Sequence, residues 1–275
     1  MTENYRVPVP GDTIIAVMGV TGAGKSSFIR NVTGDQKIQI GKVDAIETQE
    51  VSVFTGTVNG DTVFFIDTPG FDDSDGLDDA DVLELIAQKL NSMSEEGISL
   101  TSILYLHKIS DNRFTGSSKR LHRVFEKVCG RQAYDMVVLG TTMWSELARA
   151  SDGENREEAL RKGDFWGRMM RDGTETYRLN DSSESALPLA QLLAAKRGTP
   201  LQMQDELLSG DGQVICTSAG QELDRILVDR INRAVEKATH EKYAEKLERQ
   251  NAEIQRLREE REKLRQINVS EVGFL

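Results

Sequence analysis

Hydrophobic positions in the first part of the chain alternate with turn signals. Residues 14–18 are all apolar and predict a buried strand, and apolar side chains at helical spacing follow at 28–32. Residues 51–58 show an imperfect two-residue period, and Asn59-Gly60 separates them from an apolar run at 62–66. Because Asn-Gly is the strongest short hairpin signal, the last two segments should pair as antiparallel strands. The second of them is almost entirely apolar, which indicates a central strand covered on both faces.

The same alternation continues to about residue 196. Helical spacing of apolar residues predicts helices at 82–90, 121–128, 154–170 and 182–196. Apolar runs predict further strands at 102–106, 135–139 and 176–180, the last of them short and at an edge. The helix at 182–196 should bury four leucines, Leu187, Leu189, Leu192 and Leu193. Strands that alternate with helices in this way form a twisted, mostly parallel sheet covered on both faces, so the predicted fold class is α/β.

The last segment differs in composition. Residues 221–267 contain no Pro or Gly and are rich in charge, which predicts a long helix, capped by residues 216–220. A heptad seam, interrupted at Gln250 and Arg261, is formed by Tyr243, Leu247, Ile254, Leu257 and Leu264. Three arrangements stay open: a single solvated helix, a helix folded back on the domain, and a dimerising coiled coil. The predicted organisation is a lead-in at 1–12, a sheet domain at 13–197, a helix and connector at 198–220, and a charged helix at 221–275.

Composition narrows the functional class. The chain has 275 residues, a formal net charge of −11 and two cysteines without metal-ligand spacing. The acidic balance argues against nucleic acid or an anionic membrane surface as the main partner. No apolar run is long enough to span a membrane, and residues 1–12 lack the basic and apolar regions of a signal peptide. We therefore expect a soluble protein of a reducing compartment, located in the cytoplasm.

The turn after the first strand carries the most specific motif, Gly19-x-x-x-x-Gly24-Lys25-Ser26. A triphosphate requires inward-pointing backbone N–H groups, which a Gly-rich loop presents without Cβ clashes, and the positive end of a helix behind them. Lys25 should bridge the outer phosphates, and the Ser26 hydroxyl should ligate Mg²⁺. The predicted phosphate-binding residues are Gly19, Thr21, Gly22, Ala23, Gly24, Lys25, Ser26 and Ser27.

The strand at 62–66 leads into Asp67-Thr68-Pro69-Gly70. An acidic residue at the end of a buried strand, opposite the phosphate loop, can hold Mg²⁺ through water. Gly70 would let its backbone N–H approach a γ-phosphate, which a side chain would obstruct. Thr48 is the candidate hydroxyl that closes on Mg²⁺, in competition with threonines of the strand at 51–58. The predicted metal site is therefore Ser26, Thr48 and Asp67.

These motifs, the Asn59-Gly60 hairpin and the later strands resemble a GTPase G domain. The resemblance is strongest to the septin-like group, which includes immunity-associated nucleotide-binding GTPases, chloroplast import-receptor GTPases and related fungal G-domain proteins. It covers about residues 13–196 and implies a six-stranded P-loop NTPase G domain that binds GTP or GDP with Mg²⁺. In such a domain Thr48 resembles the switch-one threonine, and Asp67–Gly70 resembles the switch-two motif. P-loop kinases differ, because their sheets are normally parallel at this point.

The base-reading motif departs from the family pattern. The family has Asn/Thr-Lys-x-Asp at this strand end, whereas this chain has Thr141-Thr142-Met143-Trp144. The residues themselves therefore support a nucleotide more strongly than guanine, and the resemblance favours guanine. Trp144 either stacks on the base or is structural, and Glu146 is a candidate for the guanine edge. The candidate base-side residues are Thr141, Thr142, Trp144, Glu146 and Asn180, with Asp181 beside the last of them.

The hydrolytic machinery also departs from the pattern. Ras-like enzymes place a Gln after the switch-two Gly to orient water, and Phe71 stands there in this chain. Lys25, Thr48 and Gly70 remain as catalytic candidates, so hydrolysis should be slow or should borrow a group. Family members often dimerise across the nucleotide, which implies Arg113 as an arginine finger in trans and His107 as a phosphate contact in trans. A solvated Arg and a packed His are the alternative, and loop acids at 72–75 are further candidates for positioning water.

Two functions from different classes follow. The first is a slow, Mg²⁺-dependent GTPase whose nucleotide state controls self-association, through a G-domain homodimer and a possible coiled-coil partner. The second is an assembly or scaffold module in which GTP or GDP is a structural cofactor with little turnover. A P-loop NTPase or kinase that uses ATP is a weaker alternative, because the hairpin and the Asp67–Gly70 motif fit switch proteins better.

Overall fold

The computed structural model describes residues 6–38, 51–72, 78–111, 116–163 and 166–272. Within the helices, the side chains of 116, 117, 244, 254 and 257–272 are not described. The chain divides into two compact units, Met1–Asp224 and Arg225–Leu275. Within the residues described, the first unit contains all six strands of the sheet, and the second is helical.

Six strands form one sheet in the spatial order β2-β3-β1-β4-β5-β6. Their bounds are β1 Thr13–Gly19, β2 Ser52–Val58, β3 Asp61–Asp67, β4 Ser102–Lys108, β5 Val137–Thr142 and β6 Glu175–Arg178. Every neighbouring pair is parallel except β2 with β3, which is antiparallel. Asn59 and Gly60 join that pair with φ of 54° and 91°, the left-handed geometry that a two-residue hairpin turn requires. The sheet therefore confirms the predicted P-loop G-domain fold, with one antiparallel pair at its edge.

Helices cover both faces of the sheet. Their bounds are α1 Lys25–Thr33, α2 Asp79–Glu95, α3 Gly116–Cys129, α4 Ala150–Lys162, α5 Trp166–Arg171, α6 Ser183–Ala194, α7 Gln202–Ser209 and α8 Ser218–Val272. Side-chain oxygens of Asp78 and Ser182 cap α2 and α6, and Thr217 Oγ1 accepts from the Gly220 amide at the start of α8. Among the described helices, none combines the length and the apolar character needed to cross a bilayer.

Alternate side chains of β4 enter the two layers of the core. Leu104 and Leu106 pack in the cluster that α1 and α6 share with the sheet. Tyr105 faces the other way, and its ring lies 4.4 Å from that of Phe125 on α3. This alternation continues to the end of the strand and determines which of its last residues can reach the phosphate loop.

Three predicted details of the fold were wrong. The segment expected as one helix at 154–170 forms α4 and α5, because the backbone turns extended at Gly163. Strand β5 begins only at Val137, after a 3₁₀ turn over Arg131–Met136, and runs on through Thr142. Leu187 is 39% exposed, because the buried positions of α6 follow 186, 189, 190 and 193 and leave it on the opposite face.

Candidate functional site

The loop between β1 and α1 has the geometry of a phosphate-binding loop. Gly19, Gly22 and Gly24 all have positive φ, and a Cβ on Gly19 would collide with the carbonyl oxygen of Leu106 on β4. Lys25 is buried, and its Nζ donates to the carbonyls of Gly19 at 3.3 Å and Val20 at 3.2 Å. The loop carbonyls therefore hold the ammonium group of the lysine, at the N-terminus of α1.

Ser26 and Asp67 meet below this loop. The Ser26 hydroxyl donates to Asp67 Oδ2 at 2.6 Å, and Asp67 is 2% exposed at the end of β3. Burial raises the pKa of Asp67, while the Ser26 hydrogen bond and the charge of Lys25 lower it. Asp67 Oδ1 is buried and has no hydrogen-bond partner among the described residues. A hydroxyl and a carboxylate with an unused oxygen fit Mg²⁺, which prefers oxygen ligands and keeps much of its water.

The segment after Asp67 closes against the loop. The Thr21 amide donates to the Phe71 carbonyl at 3.0 Å, and the Phe71 side chain is buried. A Cβ on Gly70 would lie 2.6 Å from Thr21 Cα, so only glycine permits this approach. Gly70 therefore lies against the phosphate loop, and the Thr21 amide is bonded to Phe71; the approach of the Gly70 amide to a γ-phosphate stays a prediction.

A cleft opens on the other side of the loop, beside the start of α1. Its described lining comprises Gly24, Ser27, Phe28, Asn31, Thr142, Met143, Leu179, Asn180 and Asp181. Asn31 Nδ2 donates to Asp181 Oδ1 at 3.1 Å, which holds the loop after β6 against α1. The Thr142 hydroxyl donates to the carbonyl of Ala23 at 3.0 Å, so the end of β5 supports the loop directly. The structure thus brings Asn180 and Thr142 together with Gly24 and Ser27.

Trp144 and Glu146 do not line this cleft. The Trp144 Nε1 donates to Thr141 Oγ1 at 3.0 Å, and the guanidinium of Arg178 lies 4.5 Å from the indole centroid. Arg178 is itself paired with Glu157, its Nη2 lying 2.6 Å from Oε2. These contacts favour the structural interpretation of Trp144, and Glu146 is exposed.

The last two residues of β4 point to opposite sides. His107 is 6% exposed, and its ring centroid lies 6.3 Å from that of Trp166 on the side away from the loop. Burial, followed by the charge of Lys108, lowers the pKa of His107 to about 4. The His107 side chain is therefore largely covered in this structure, and its contact with a partner's phosphates stays a prediction.

Two predicted residues lie outside the described part of the chain, Thr48 and Arg113. Sequence reasoning missed two others. Met143 lines the cleft with a φ of 60°, and the Nζ of Lys108 lies 3.7 Å from the position that a Cβ on Gly22 would occupy. The signal for Lys108 was available, because a strand that continues past Leu106 places 107 and 108 on opposite faces.

Parts of this chain are similar in sequence to known proteins. Residues 14–139 match the family model of the 50S ribosome-binding GTPases. Translocase of chloroplast 159 from Arabidopsis thaliana is 45% identical over 58 residues, which are 20% of this chain and only 4% of that protein. The chain therefore spans a small fraction of the length of this relative.

Two solved structures have a similar fold. Toc33 from Arabidopsis thaliana in complex with Mg²⁺ and GMPPNP has a TM-score of 0.53 and 16% identity, over 69% of this chain and 88% of that chain. A structure of the chloroplast translocon components atToc33 and psToc159, described as showing that dimerization is important for their GTPase activity, has a TM-score of 0.54 and 19% identity. It covers 67% of this chain and 82% of that chain. With the family match, these likenesses identify the fold as that of a P-loop GTPase G domain.

Proposed function

We propose that this chain binds a guanine nucleotide with Mg²⁺ and hydrolyses GTP slowly. The observation that carries the proposal is the group formed by Lys25, Ser26 and Asp67: a lysine wrapped by loop carbonyls beside a hydroxyl–carboxylate pair with one unused oxygen. Burial disfavours the charged form of Asp67, and a bound cation would offset that cost. The GMPPNP and Mg²⁺ complex of the structurally similar Toc33 supports the same ligand class.

The cleft beside Gly24 is the proposed nucleoside site. Its lining includes Gly24 of the phosphate loop and Ser27 of α1, so a nucleotide with its phosphates on the loop could place its nucleoside there. Asp181 lines this cleft, and its carboxylate could accept hydrogen bonds from both N–H groups on the guanine edge. We therefore move the proposed base-reading role from Glu146 to Asp181, with Asn180 beside it.

The mechanism follows from what each residue can do. Loop amides and Lys25 would hold the outer phosphates. Ser26 and Asp67 would hold Mg²⁺, which when bound would supply charge stabilisation to the transferred phosphoryl group. The Gly70 amide approaches the third phosphate. Phe71 offers no hydrogen bond to the attacking water, so the chain's own contribution is positioning and electrostatic stabilisation without an oriented general base. Thr48 and Arg113 keep their proposed roles as metal-closing hydroxyl and arginine finger in trans.

Self-association is the second part of the proposal. For the structurally similar atToc33 and psToc159, dimerization is described as important for GTPase activity, which supports a G-domain pair here. In the second unit, the seam residues Tyr243 and Leu247 are 66% and 61% exposed. An exposed apolar stripe on a long helix is a surface that a second copy of the helix can cover.

The charges beside the seam select a parallel pair. With Leu247 and Ile254 at heptad position a, glutamates occupy g at 253 and 260, and arginines occupy e at 258 and 265. A parallel dimer sets g against the e position of the next heptad, which pairs Glu with Arg. An antiparallel dimer would set g against g and e against e, which pairs like charges. We therefore propose a parallel coiled coil, whose pairing would raise the effective concentration of the two G domains.

A non-hydrolysing assembly module is the alternative. It is favoured by one observation, the hydrogen bond from Thr21 to Phe71, which closes the Gly70 segment onto the loop at the side expected for a third phosphate. In that case GDP would be held as a structural cofactor. An ATP-using NTPase or kinase is weaker, because the antiparallel β2–β3 pair is unlike the parallel sheets of P-loop kinases.

One pair of measurements separates these functions. Mass spectrometry of the copurifying nucleotide identifies the base, and timed phosphate release at rising protein concentration measures turnover. A guanine nucleotide and a rate per molecule that rises with concentration support the GTPase. A flat rate near zero supports the assembly module, and an adenine nucleotide contradicts the guanine assignment.

A further inference from the structure

A second ammonium group lies beside the phosphate loop. Lys108 ends β4, and strand alternation sends its side chain to the loop face while His107 turns toward Trp166. The Lys108 Nζ lies 3.7 Å from the position that a Cβ on Gly22 would occupy. Gly22 is the middle glycine of the motif, so the Lys108 ammonium group lies close to the turn of the phosphate loop.

Lys25 and Lys108 reach the loop from different sides. The Nζ of Lys25 donates to the carbonyls of Gly19 and Val20, inside the turn. Lys108 approaches from β4, and its Nζ lies 3.7 Å from Asp111 Oδ1. An anion bound over Gly22 would therefore lie between two positive side chains.

The ion pair with Asp111 leaves Lys108 able to bind a phosphate. The Lys108 and Asp111 side chains are 29% and 38% exposed, and the 3.7 Å separation is long for an ion pair. Partly exposed pairs of this kind contribute little to stability, because solvent screens them. A phosphate oxygen that arrives at the loop can therefore attract the ammonium at small cost.

We infer that Lys108 is a second phosphate-binding cation, which contacts the diphosphate part of the nucleotide and stabilises it as a leaving group. The inference rests on the proposed GTPase function. In hydrolysis, water forms a bond to the γ-phosphorus, the bond from that phosphorus to the β–γ bridging oxygen breaks, and its electron pair stays on GDP. The water's proton leaves with inorganic phosphate or solvent. Negative charge grows on the diphosphate, where a nearby ammonium is most effective.

This role explains how the chain could hydrolyse GTP although Phe71 replaces the Gln that orients water in Ras-like enzymes. Stabilisation of the leaving group by Lys108 would add to the electrostatic contributions of Lys25, the loop amides and Mg²⁺. A lysine that only neutralises Asp111 at a strand end would make no distinction between nucleotides of different phosphate number. That difference provides the test.

The experiment compares Lys108→Met, Lys108→Gln and Lys108→Arg in the full chain. Lys162→Met is the matched control, because Lys162 is also ion-paired, with Glu158, but lies on α4. Affinities for GMP, GDP and GTP are measured by calorimetry with Mg²⁺, and single-turnover hydrolysis is followed by phosphate release. We expect roughly tenfold weaker GDP and GTP binding, unchanged GMP binding and at least about tenfold slower hydrolysis for Met and Gln. Lys108→Arg should retain most of both.

Other outcomes have defined meanings. Equal losses for all three nucleotides, or no loss for GDP and GTP, would overturn the role of Lys108 while leaving the proposed function intact. If the unaltered chain binds no guanine nucleotide, the proposed function fails and the inference fails with it. Losses of the same size in Lys162→Met would also reject a specific role for Lys108.

Discussion

The Ser26 hydroxyl donates a 2.6 Å hydrogen bond to Asp67 Oδ2, joining the first turn of α1 to the last residue of β3. These two residues are 41 positions apart in the sequence and belong to separate motifs. Their contact places a hydroxyl and a carboxylate, both suitable for Mg²⁺, directly beside the lysine of the loop.

Ser26→Ala should abolish the dependence of nucleotide affinity on Mg²⁺. The alanine removes one proposed metal ligand and leaves both Asp67 oxygens without the Ser26 donor. We expect Mg²⁺ to strengthen GDP binding by about tenfold or more in the unaltered chain and to have little effect in the variant. Titration of a fluorescent GDP analogue with Mg²⁺ or with EDTA measures this. Ser26→Thr keeps the hydroxyl and serves as the control, and an undiminished Mg²⁺ effect in Ser26→Ala would contradict the assignment.

Gly70→Ala should impair GTP binding more than GDP binding. The added Cβ would lie 2.6 Å from Thr21 Cα, so the Asp67–Phe71 segment must move away from the loop. If the Gly70 amide stabilises the third phosphate as proposed, its loss should slow hydrolysis by about 10²-fold, the effect of removing one donor from an oxyanion hole. Single-turnover phosphate release measures the rate, and thermal unfolding checks that the sheet is intact. Equal loss of GDP and GTP affinity would indicate general damage to the loop.

Asp181→Asn should reduce discrimination between GTP and ATP. The substitution keeps the shape of the side chain and removes the charge that would accept two guanine N–H groups. We expect about 10–100-fold weaker GTP binding with ATP binding unchanged. Competition calorimetry of the two nucleotides measures the ratio. Glu146→Gln is the control, and a larger effect there would return the base-reading role to Glu146.

His107 should make the fold sensitive to acid. Its pKa is lowered from 6.5 to about 4, so the unfolded chain takes up a proton that the folded chain excludes as pH falls through this range. The free energy of unfolding should therefore fall by about 2 kcal/mol between about pH 7.5 and about pH 5 because of this residue. Denaturant unfolding of the unaltered chain and of His107→Gln measures the difference between the two profiles. Parallel profiles would show that His107 keeps its ordinary pKa.

Tyr243→Glu with Leu247→Glu should reduce self-association without affecting the fold. Both side chains are exposed in the second unit, so the charges disrupt only a partner's approach. Sedimentation across a range of protein concentrations, with and without GTP, measures the oligomer. Leu208→Glu is the control, because Leu208 on α7 is also an exposed leucine outside the seam. Unchanged sedimentation in the double variant would contradict the proposed coiled coil.

The strands and the phosphate loop could be predicted because their signals are local. The apolar run before Gly19 and the Asn59-Gly60 turn each determine an element within a few residues. The failures have the same origin. Leu187 was misassigned because an apolar residue does not reveal its face, and the break at Gly163 was hidden within an otherwise helical pattern.

The proposed base side of the site was harder to predict, because the cleft is assembled from distant segments. Asp181 reaches the cleft through its hydrogen bond with Asn31, 150 positions away, and Trp144 packs under Arg178 and not into the cleft. Motif spacing aligns Trp144 with the missing aspartate, but only the fold reveals which side chains share the cleft. The position of Lys108 beside the site was not predicted for a similar reason. Its neighbour in space, Gly22, belongs to the loop that follows β1.

The hydroxyl of Thr142 has a further consequence. It donates to the Ala23 carbonyl, and the His107 carbonyl lies 3.3 Å away, so one side chain ties the loop to the ends of two strands. Thr142 also borders the cleft, so an occupant of the cleft would restrain the same backbone that is proposed to bind the phosphates. The binding free energy of the intact nucleotide should then exceed the sum of those of guanosine and pyrophosphate measured separately. The part that binds first orders the backbone that the other part needs.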